Sequence, residues 1–453
     1  MNELNPTHDP SRRSWVQSAN QPGHDFPIQN LPFGAFLRDG EARTGVAIGE
    51  RIVDLRALFD AQLLDGNAAL ACQTALGGEL NGLMGMDARY PSALRARLSE
   101  LLRADAPELA RLRERTAGIL VDAADVTMLL PCRIGDYSDF LTSLHHTERH
   151  GRFKGLADPL PAAFKSLPIA YHGRASSICV SGAAVVRPNG QYRDSAGQVV
   201  FGPAPALDFE LELAAFIGRG NALGRPIGID SARDHIFGYC LLNDWSAKSM
   251  QWWEQVLGPF LGKSFHSTLS PWLVTAQALL PFRLAAPVRA AGDPPLLPHL
   301  HGASDRASGG LDLVLEARLS TARQRAAGRA PVRITRTHLQ NLYWTFAQMV
   351  THHASNGCNL RCGDLIGSGT ISGADDLSRA CLTELTNAGK DPLSVGDDET
   401  RTALEDGDEI ILSARAEHPG AVSIGFGECR GRIAPALIFG SAECDSADAA
   451  REA

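Results

Sequence analysis

The stretch Leu207-Asp208-Phe209-Glu210-Leu211-Glu212-Leu213 alternates apolar and acidic residues without a break. Period two is the mark of a strand, with Phe209, Leu211 and Leu213 on one face and Asp208, Glu210 and Glu212 on the other. Three carboxylates on one face repel one another. A solvated strand face is the commoner outcome of such a pattern, and a bound cation is the alternative. Residues at i and i+2 lie roughly 7 Å apart, close enough for Glu210 and Glu212 to share an ion whose metal–oxygen distances are about 2.1–2.5 Å. Asp208 and Glu212 are too far apart to do so easily. Oxygen-only ligation favours Mg²⁺ or Ca²⁺ over zinc.

More acids are needed to complete such a site. Asp136-Tyr137-Ser138-Asp139-Phe140 precedes a helix expected to run through His150. Asp139 and His146, two helical turns apart, would share a face, although a lone helical His is more often a packing or surface residue. Asp244 follows the apolar run Tyr239-Cys240-Leu241-Leu242, at the end of an expected buried strand. Its competing role there is a helix N-cap.

Around this centre, residues 25–60 read as short strands with tight turns at Asp39-Gly40 and Gly49-Glu50, a small β-barrel-like unit. Residues 56–118 read as mostly helical, with Arg95 to Arg115 rich in helix formers. Near Leu130-Pro131 the chain turns to Gly, Val and Ile strands, which sets a boundary near 125–130. The organisation is then a polar, flexible tail over 1–24, an N-terminal unit over 25–128, a catalytic unit over 129–440 and a polar tail over 441–453. Residues 282–310 read as a Pro/Gly-rich excursion, and 334–354 as a helix stopped by Asn356-Gly357. The fold class is mainly β with α+β elements.

The chain has 453 residues and a net charge of −8, with 44% hydrophobic residues, which fits a soluble globular protein and not a disordered one. The lack of a basic excess argues against nucleic acid, and no apolar run reaches the length of a membrane span. Arg12-Arg13 lacks the apolar segment of a secretion signal. Nine scattered cysteines fit reduced thiols in a cytoplasmic protein. Several motifs fail on spacing. Gly258-Pro259-Phe260-Leu261-Gly262-Lys263-Ser264 is one residue short of a phosphate-binding loop, and His146 is followed by Thr147, where a metalloprotease needs Glu.

Long ordered strings carry a family resemblance. They include Asp25 to Gly34, Ile134-Gly135-Asp136-Tyr137-Ser138-Asp139-Phe140, Tyr171-His172-Gly173-Arg174-Ala175-Ser176-Ser177, Leu242-Asn243-Asp244-Trp245-Ser246-Ala247, Leu257 to Phe265, and Ser368-Gly369-Thr370-Ile371-Ser372-Gly373. Over residues 25–440 the chain resembles the fumarylacetoacetate hydrolase family. The resemblance implies an SH3-like β-barrel N-terminal domain and a large C-terminal mixed β-roll. It also implies a homodimer that hydrolyses a small β-diketo acid in tyrosine and phenylalanine breakdown, giving fumarate and acetoacetate.

Carried over residue by residue, the resemblance assigns metal carboxylates to Asp139, Glu210, Glu212 and Asp244, with Lys263 and Ser267 beside Asp244 at a magnesium position. Ser267 stands where the family commonly has Thr. The catalytic base falls on His146, its orienting acid on Glu384, and the oxyanion-stabilising groups on Lys248, Gln251 and Lys263. Lys248 replaces the family's usual Arg, keeping the charge but losing the planar fork. Substrate contacts fall on Tyr171, Gln251 and Thr370, which are kept, and on Lys154 and Gln255, which replace Arg and Tyr. Leu141 stands where the family has a Tyr. These departures leave open a related acylpyruvate or β-diketo acid as substrate. A hydratase or decarboxylase of the wider superfamily is opposed by His146 with Glu384, and a non-catalytic metal-binding protein by retention of the acids and Lys263. His352 and His353 are expected to pack against the Gly369–Gly373 loop.

Overall fold

In the computed structural model, residues 3–107 and 118–439 are described. The expected tail over 441–453 and the C-terminal part of the Arg95–Arg115 stretch lie outside them. The N-terminal unit is a five-stranded antiparallel sheet, ordered Leu120–Asp122, Arg51–Asp54, Glu41–Ile48, Phe33–Arg38 and Thr127–Leu129. Thr127–Leu129 returns to pair with Phe33–Arg38, the first strand in the chain. Helices at Leu55–Asp60, Gly66–Thr74 and Arg89–Leu102 cover it.

Among the described residues from 3 onward, the expectation of a flexible tail over 1–24 is overturned. Thr7, His8, Ser14, Val16 and Ala19 are buried. Trp15 donates its backbone N–H to Leu102 O (3.1 Å) and its Nε1–H to Leu101 O (2.9 Å). The segment lies along the Arg89–Leu102 helix, where Trp15, Val16 and Ala19 find apolar cover that their polar neighbours conceal in the sequence.

The large unit is built from two sheets. In the first, strands run in the order Ile169–His172, Tyr137–Leu141, Leu365–Gly367, Leu211–Ile217, Ile236–Asn243, Ser267–Leu269 and Ile178–Val180, with Val274–Thr275 also on Ile236–Asn243. Two of its pairings are parallel and the rest antiparallel. The second orders Val332–His338, Leu313–Ser320, Glu409–Ala416, Ile424–Ala434 and Ala184–Val186. This mainly β, mixed-sheet architecture agrees with the expected fold class.

The opening stretch sits at the centre of the packing. Phe209, Leu211 and Leu213 enter one core with Leu241, Leu315, Leu412 and Phe426, joining the two sheets. On the opposite face, Ala214 and Phe216 share a second core with Leu94 and Leu98 of the N-terminal helix. The strand is therefore buried on both sides, and the acids on it are not solvated.

Two local expectations fail. Residues 332–338 form a strand, because Ile334, Thr335 and Thr337 turn inward while Arg333, Arg336 and His338 face solvent. The helix starts only at Phe346, capped by Thr345 and Gln348, and ends before Gly357, whose φ of 91° suits glycine. Asp139 lies on the Tyr137–Leu141 strand and not on a helix with His146; the helix Leu144–Phe153 begins after Ser143, whose side chain accepts from His146 N.

Candidate metal and hydrolytic site

Three strands converge on a pocket of buried acid. Asp139 comes from Tyr137–Leu141, Glu212 from Leu211–Ile217 and Asp244 from the end of Ile236–Asn243. Their ligand oxygens lie within 4.8 Å of one another. Asp139 Oδ2 accepts from Tyr137 Oη (2.9 Å) and its Oδ1 from Gly369 N (3.1 Å). Asp244 Oδ2 accepts from Tyr171 Oη (2.7 Å) and its Oδ1 from Ser267 Oγ (3.3 Å). Glu212 is 0% exposed, and neither of its carboxylate oxygens has a hydrogen-bond partner.

Burial, and then the charge of Asp244, pushes the Asp139 carboxyl well above the usual range. Burial, and then Asp139 and Asp244, does the same to Glu212. Buried carboxylates left unpaired cost several kcal/mol unless a cation neutralises them. The orphaned oxygens of Glu212 and the all-oxygen donor set fit a hard divalent cation.

Glu210 departs from the expected pairing with Glu212. The strand breaks at Phe209-Glu210, and Glu210 turns to two lysines instead. Lys248 Nζ donates to its Oε1 (2.5 Å) and Lys263 Nζ to its Oε2 (2.5 Å). Burial alone would raise Glu210, but the two ammonium groups outweigh it and hold the carboxyl well below the usual range. Lys263 also donates to Asp244 Oδ2 (2.5 Å), so it bridges Glu210 to the acid triad. Asp208, the third acid of the stretch, caps the short helix Leu382–Leu385 by accepting from Leu382 N (2.6 Å) and Thr383 N (2.8 Å). A helix start left with free N–H groups needs such a partner, and this one fixes where Glu384 stands.

Glu384 meets His146 across the fold. His146 Nδ1 lies 2.8 Å from Glu384 Oε2, which also accepts from Ser372 Oγ (2.5 Å), while Oε1 accepts from Arg149 Nη1 (3.0 Å). Burial would raise the Glu384 carboxyl, but the charge and hydrogen bond of His146 hold it well below the usual range. Of the remaining expected residues, Gln251 lies on Lys248–Glu254 with Oε1 buried and unpartnered. Gln255 is the C-cap of that helix, and Lys154 the C-cap of Leu144–Phe153. Thr370 is buried next to Gly369. Leu141 ends its strand, paired with Ile169.

Several contributors carried no role in the sequence. Tyr137 stands two residues before Asp139, on the same strand face, and Arg149 follows His146 by three, on the same helix face. Those spacings were readable. Ser372 and Cys381 carry no local signal, whereas His150 stands one helical turn after His146, a spacing that reads only as a metalloprotease pattern lacking its Glu. His353 Nε2 lies 2.8 Å from Ser138 Oγ, a contact made away from the expected Gly369–Gly373 loop.

The described cysteines are all free thiols, and no helix among the described residues is long and apolar enough to cross a membrane. The fumarylacetoacetase N-terminal family matches residues 29–131, and the fumarylacetoacetate (FAA) hydrolase C-terminal family matches residues 137–434. The chain is 44% identical over 433 residues to the fumarylacetoacetase of Oryza sativa subsp. japonica, covering 94% of this chain and 98% of that one. It is 42% identical over 421 residues to the fumarylacetoacetase of Rattus norvegicus, covering 91% and 97%, and 41% identical over 422 residues to that of Homo sapiens, covering 91% and 97%. Two adjoining family matches and relatives aligned along nearly their whole length lead to one conclusion: the chain belongs to the fumarylacetoacetate hydrolase family.

Proposed function

We propose that this enzyme hydrolyses fumarylacetoacetate to fumarate and acetoacetate, closing tyrosine and phenylalanine breakdown, as a cytoplasmic homodimer that uses Mg²⁺ or Ca²⁺. The observation that carries the reading is the buried His146–Glu384 pair, with Glu210 and the acid triad linked through the Lys263 bridge.

Asp139, Glu212 and Asp244 would hold the cation, with Glu210 ordering Lys263 beside it. Held there, a hard cation would supply positive charge that polarises a substrate carbonyl. Glu384 keeps the proton on His146 Nδ1, which leaves Nε2 as the free base. Nε2 takes a proton from water, and the hydroxide attacks a carbonyl carbon. Lys248, Gln251 and Lys263 meet the negative oxygen of the tetrahedral intermediate. The carbon–carbon bond then breaks, its electron pair leaves on the acetoacetate fragment as an enolate, and the proton held by His146 returns to that carbon. Tyr171, Thr370, Lys154 and Gln255 contact the substrate.

The same reading takes the five-stranded N-terminal sheet as SH3-like, supported by its short antiparallel strands and tight turns. The homodimer is supported by the run of exposed apolar side chains at Trp252, Trp253, Val256, Leu257 and Phe260, of the kind that marks interaction surfaces. Leu141 and Gln255 favour a second reading, a related acylpyruvate as substrate. Turnover on fumarylacetoacetate and on several acylpyruvates, with Mg²⁺ and with Ca²⁺, separates the two. Preference for an acylpyruvate by tenfold or more in kcat/KM would overturn the first.

A further inference from the structure

The mechanism leaves two reactive groups beside the base without work. His150 stacks on His146, one helical turn back, with ring centroids 4.2 Å apart. Cys381 Sγ lies 3.3 Å from Glu384 Oε2 and 3.8 Å from His150 Nε2. One ligand atom from each of His146, His150, Cys381 and Glu384 lies within 4.8 Å of the other three. We propose that these four side chains form a second metal site, selective for Zn²⁺, whose occupation takes the base out of service.

The geometry is near what zinc needs. With metal–ligand distances of about 2.0–2.3 Å, the corners of a zinc tetrahedron stand about 3.3–3.8 Å apart. The cluster already spans 2.8 Å from His146 Nδ1 to Glu384 Oε2 and 3.8 Å from sulfur to His150, so shifts of about half an ångström suffice at these contacts. Donor chemistry separates this site from the acid triad. Nitrogen and sulfur select zinc, whereas an oxygen-only triad suits Mg²⁺ or Ca²⁺. Two anionic ligands would face the ion, with Arg149 on the far oxygen of Glu384. The Cys381 S–H bond breaks, its proton leaves to solvent, and the thiolate pair forms the Zn–S bond. Thiolate and Glu384 carboxylate together offset the two charges of zinc. Glu384 and Cys381 are 0% exposed, so the ion would sit in a dry, low-dielectric place. The proton that His146 Nδ1 now shares with Glu384 would pass to Nε2 as the other neutral tautomer, leaving the Nδ1 lone pair for the metal, and Nε2–H could then no longer accept a proton from water.

The inhibitory half rests on the proposed role of His146; the metal site does not. The full-length protein is loaded with saturating Mg²⁺ and titrated with Co²⁺ as a spectroscopic stand-in for zinc. A thiolate-to-cobalt charge-transfer band should rise to one equivalent, vanish when Zn²⁺ is added, and be absent from Cys381→Ser. His150→Gln should weaken Co²⁺ binding by at least about tenfold. Turnover should fall in proportion to Zn²⁺ occupancy. No thiolate band in the native protein, or the same band in Cys381→Ser, overturns the site. A band that depends on Cys381 while zinc leaves turnover untouched overturns the inhibition, and with it the assignment of His146 as base.

Discussion

Replacing Glu384 by Gln should leave the fold in place and remove most of the turnover. The carboxylate is 0% exposed and receives four donors on two oxygens: His146 Nδ1–H, the Ser372 hydroxyl, the Cys381 thiol and the Arg149 guanidinium. An amide offers one oxygen and one N–H₂. If the oxygen faces Arg149, the N–H₂ faces His146 Nδ1, which must then accept, and the imidazole proton moves to Nε2, where the base is needed. If the oxygen faces His146, the half-buried Arg149 is left against a donor. Either way the imidazolium loses its counter-charge. Breaking one partner of a buried ion pair costs about 3–5 kcal/mol, and at about 1.4 kcal/mol per tenfold this is about 10²- to 10⁴-fold in kcat. Initial rates under saturating Mg²⁺ give kcat and KM, with thermal unfolding as the folding control. KM should move little, because Glu384 touches His146 and not the substrate. A kcat loss under about tenfold, or a loss carried wholly by KM, would refute the orienting role.

Glu212→Gln should abolish the thermal stabilisation by Mg²⁺ or Ca²⁺, which for the parent is about 2.7 kcal/mol at one hundred times Kd; calorimetry with and without the ion tests this. In chelator, the same variant should be more stable than the parent. That difference should widen as pH rises from the ordinary carboxylate range, about pH 4. The unfolded acid ionises there first, while the raised folded-state acids of Asp139 and Glu212 still hold their protons, so rising pH favours the unfolded parent. Urea unfolding across pH reads it, and a gap that stays constant or narrows contradicts it. Lys263→Met strips the bridge between Glu210 and Asp244 and should cost about 3–5 kcal/mol in urea unfolding. Gly151→Ala puts a Cβ 2.0 Å from Pro159 O on the helix that carries His146, and should cost about 1–3 kcal/mol; a neutral effect would show that the contact yields freely.

The period-two reading of residues 207–213 found the core face, and Phe209, Leu211 and Leu213 all enter it. It could not see that the three acids part company. The break at Phe209-Glu210 sends Asp208 to cap a helix, Glu210 to two lysines and Glu212 to the acid triad. Alternation reports a face, not the partners that come to it. The His146–Glu384 contact spans 238 residues of chain, so no local spacing could pair them, and the family strings were what linked the two. Arg149 was within reach of helical spacing from His146 and was missed. The N-terminal segment was misread for a related reason. A few apolar residues in a polar stretch look idle until a neighbouring helix offers them a groove.

The central claim is that His146 is the base for carbon–carbon cleavage. The most direct measurement is product analysis by NMR for parent and His146→Ala, fed fumarylacetoacetate in saturating Mg²⁺, with metal binding followed in both. The account predicts equal amounts of fumarate and acetoacetate from the parent. From His146→Ala it predicts turnover lowered by at least about 10²-fold, with Mg²⁺ binding retained. Hydration without chain cleavage in the parent, or more than a few per cent of parental cleavage in the variant, would contradict it.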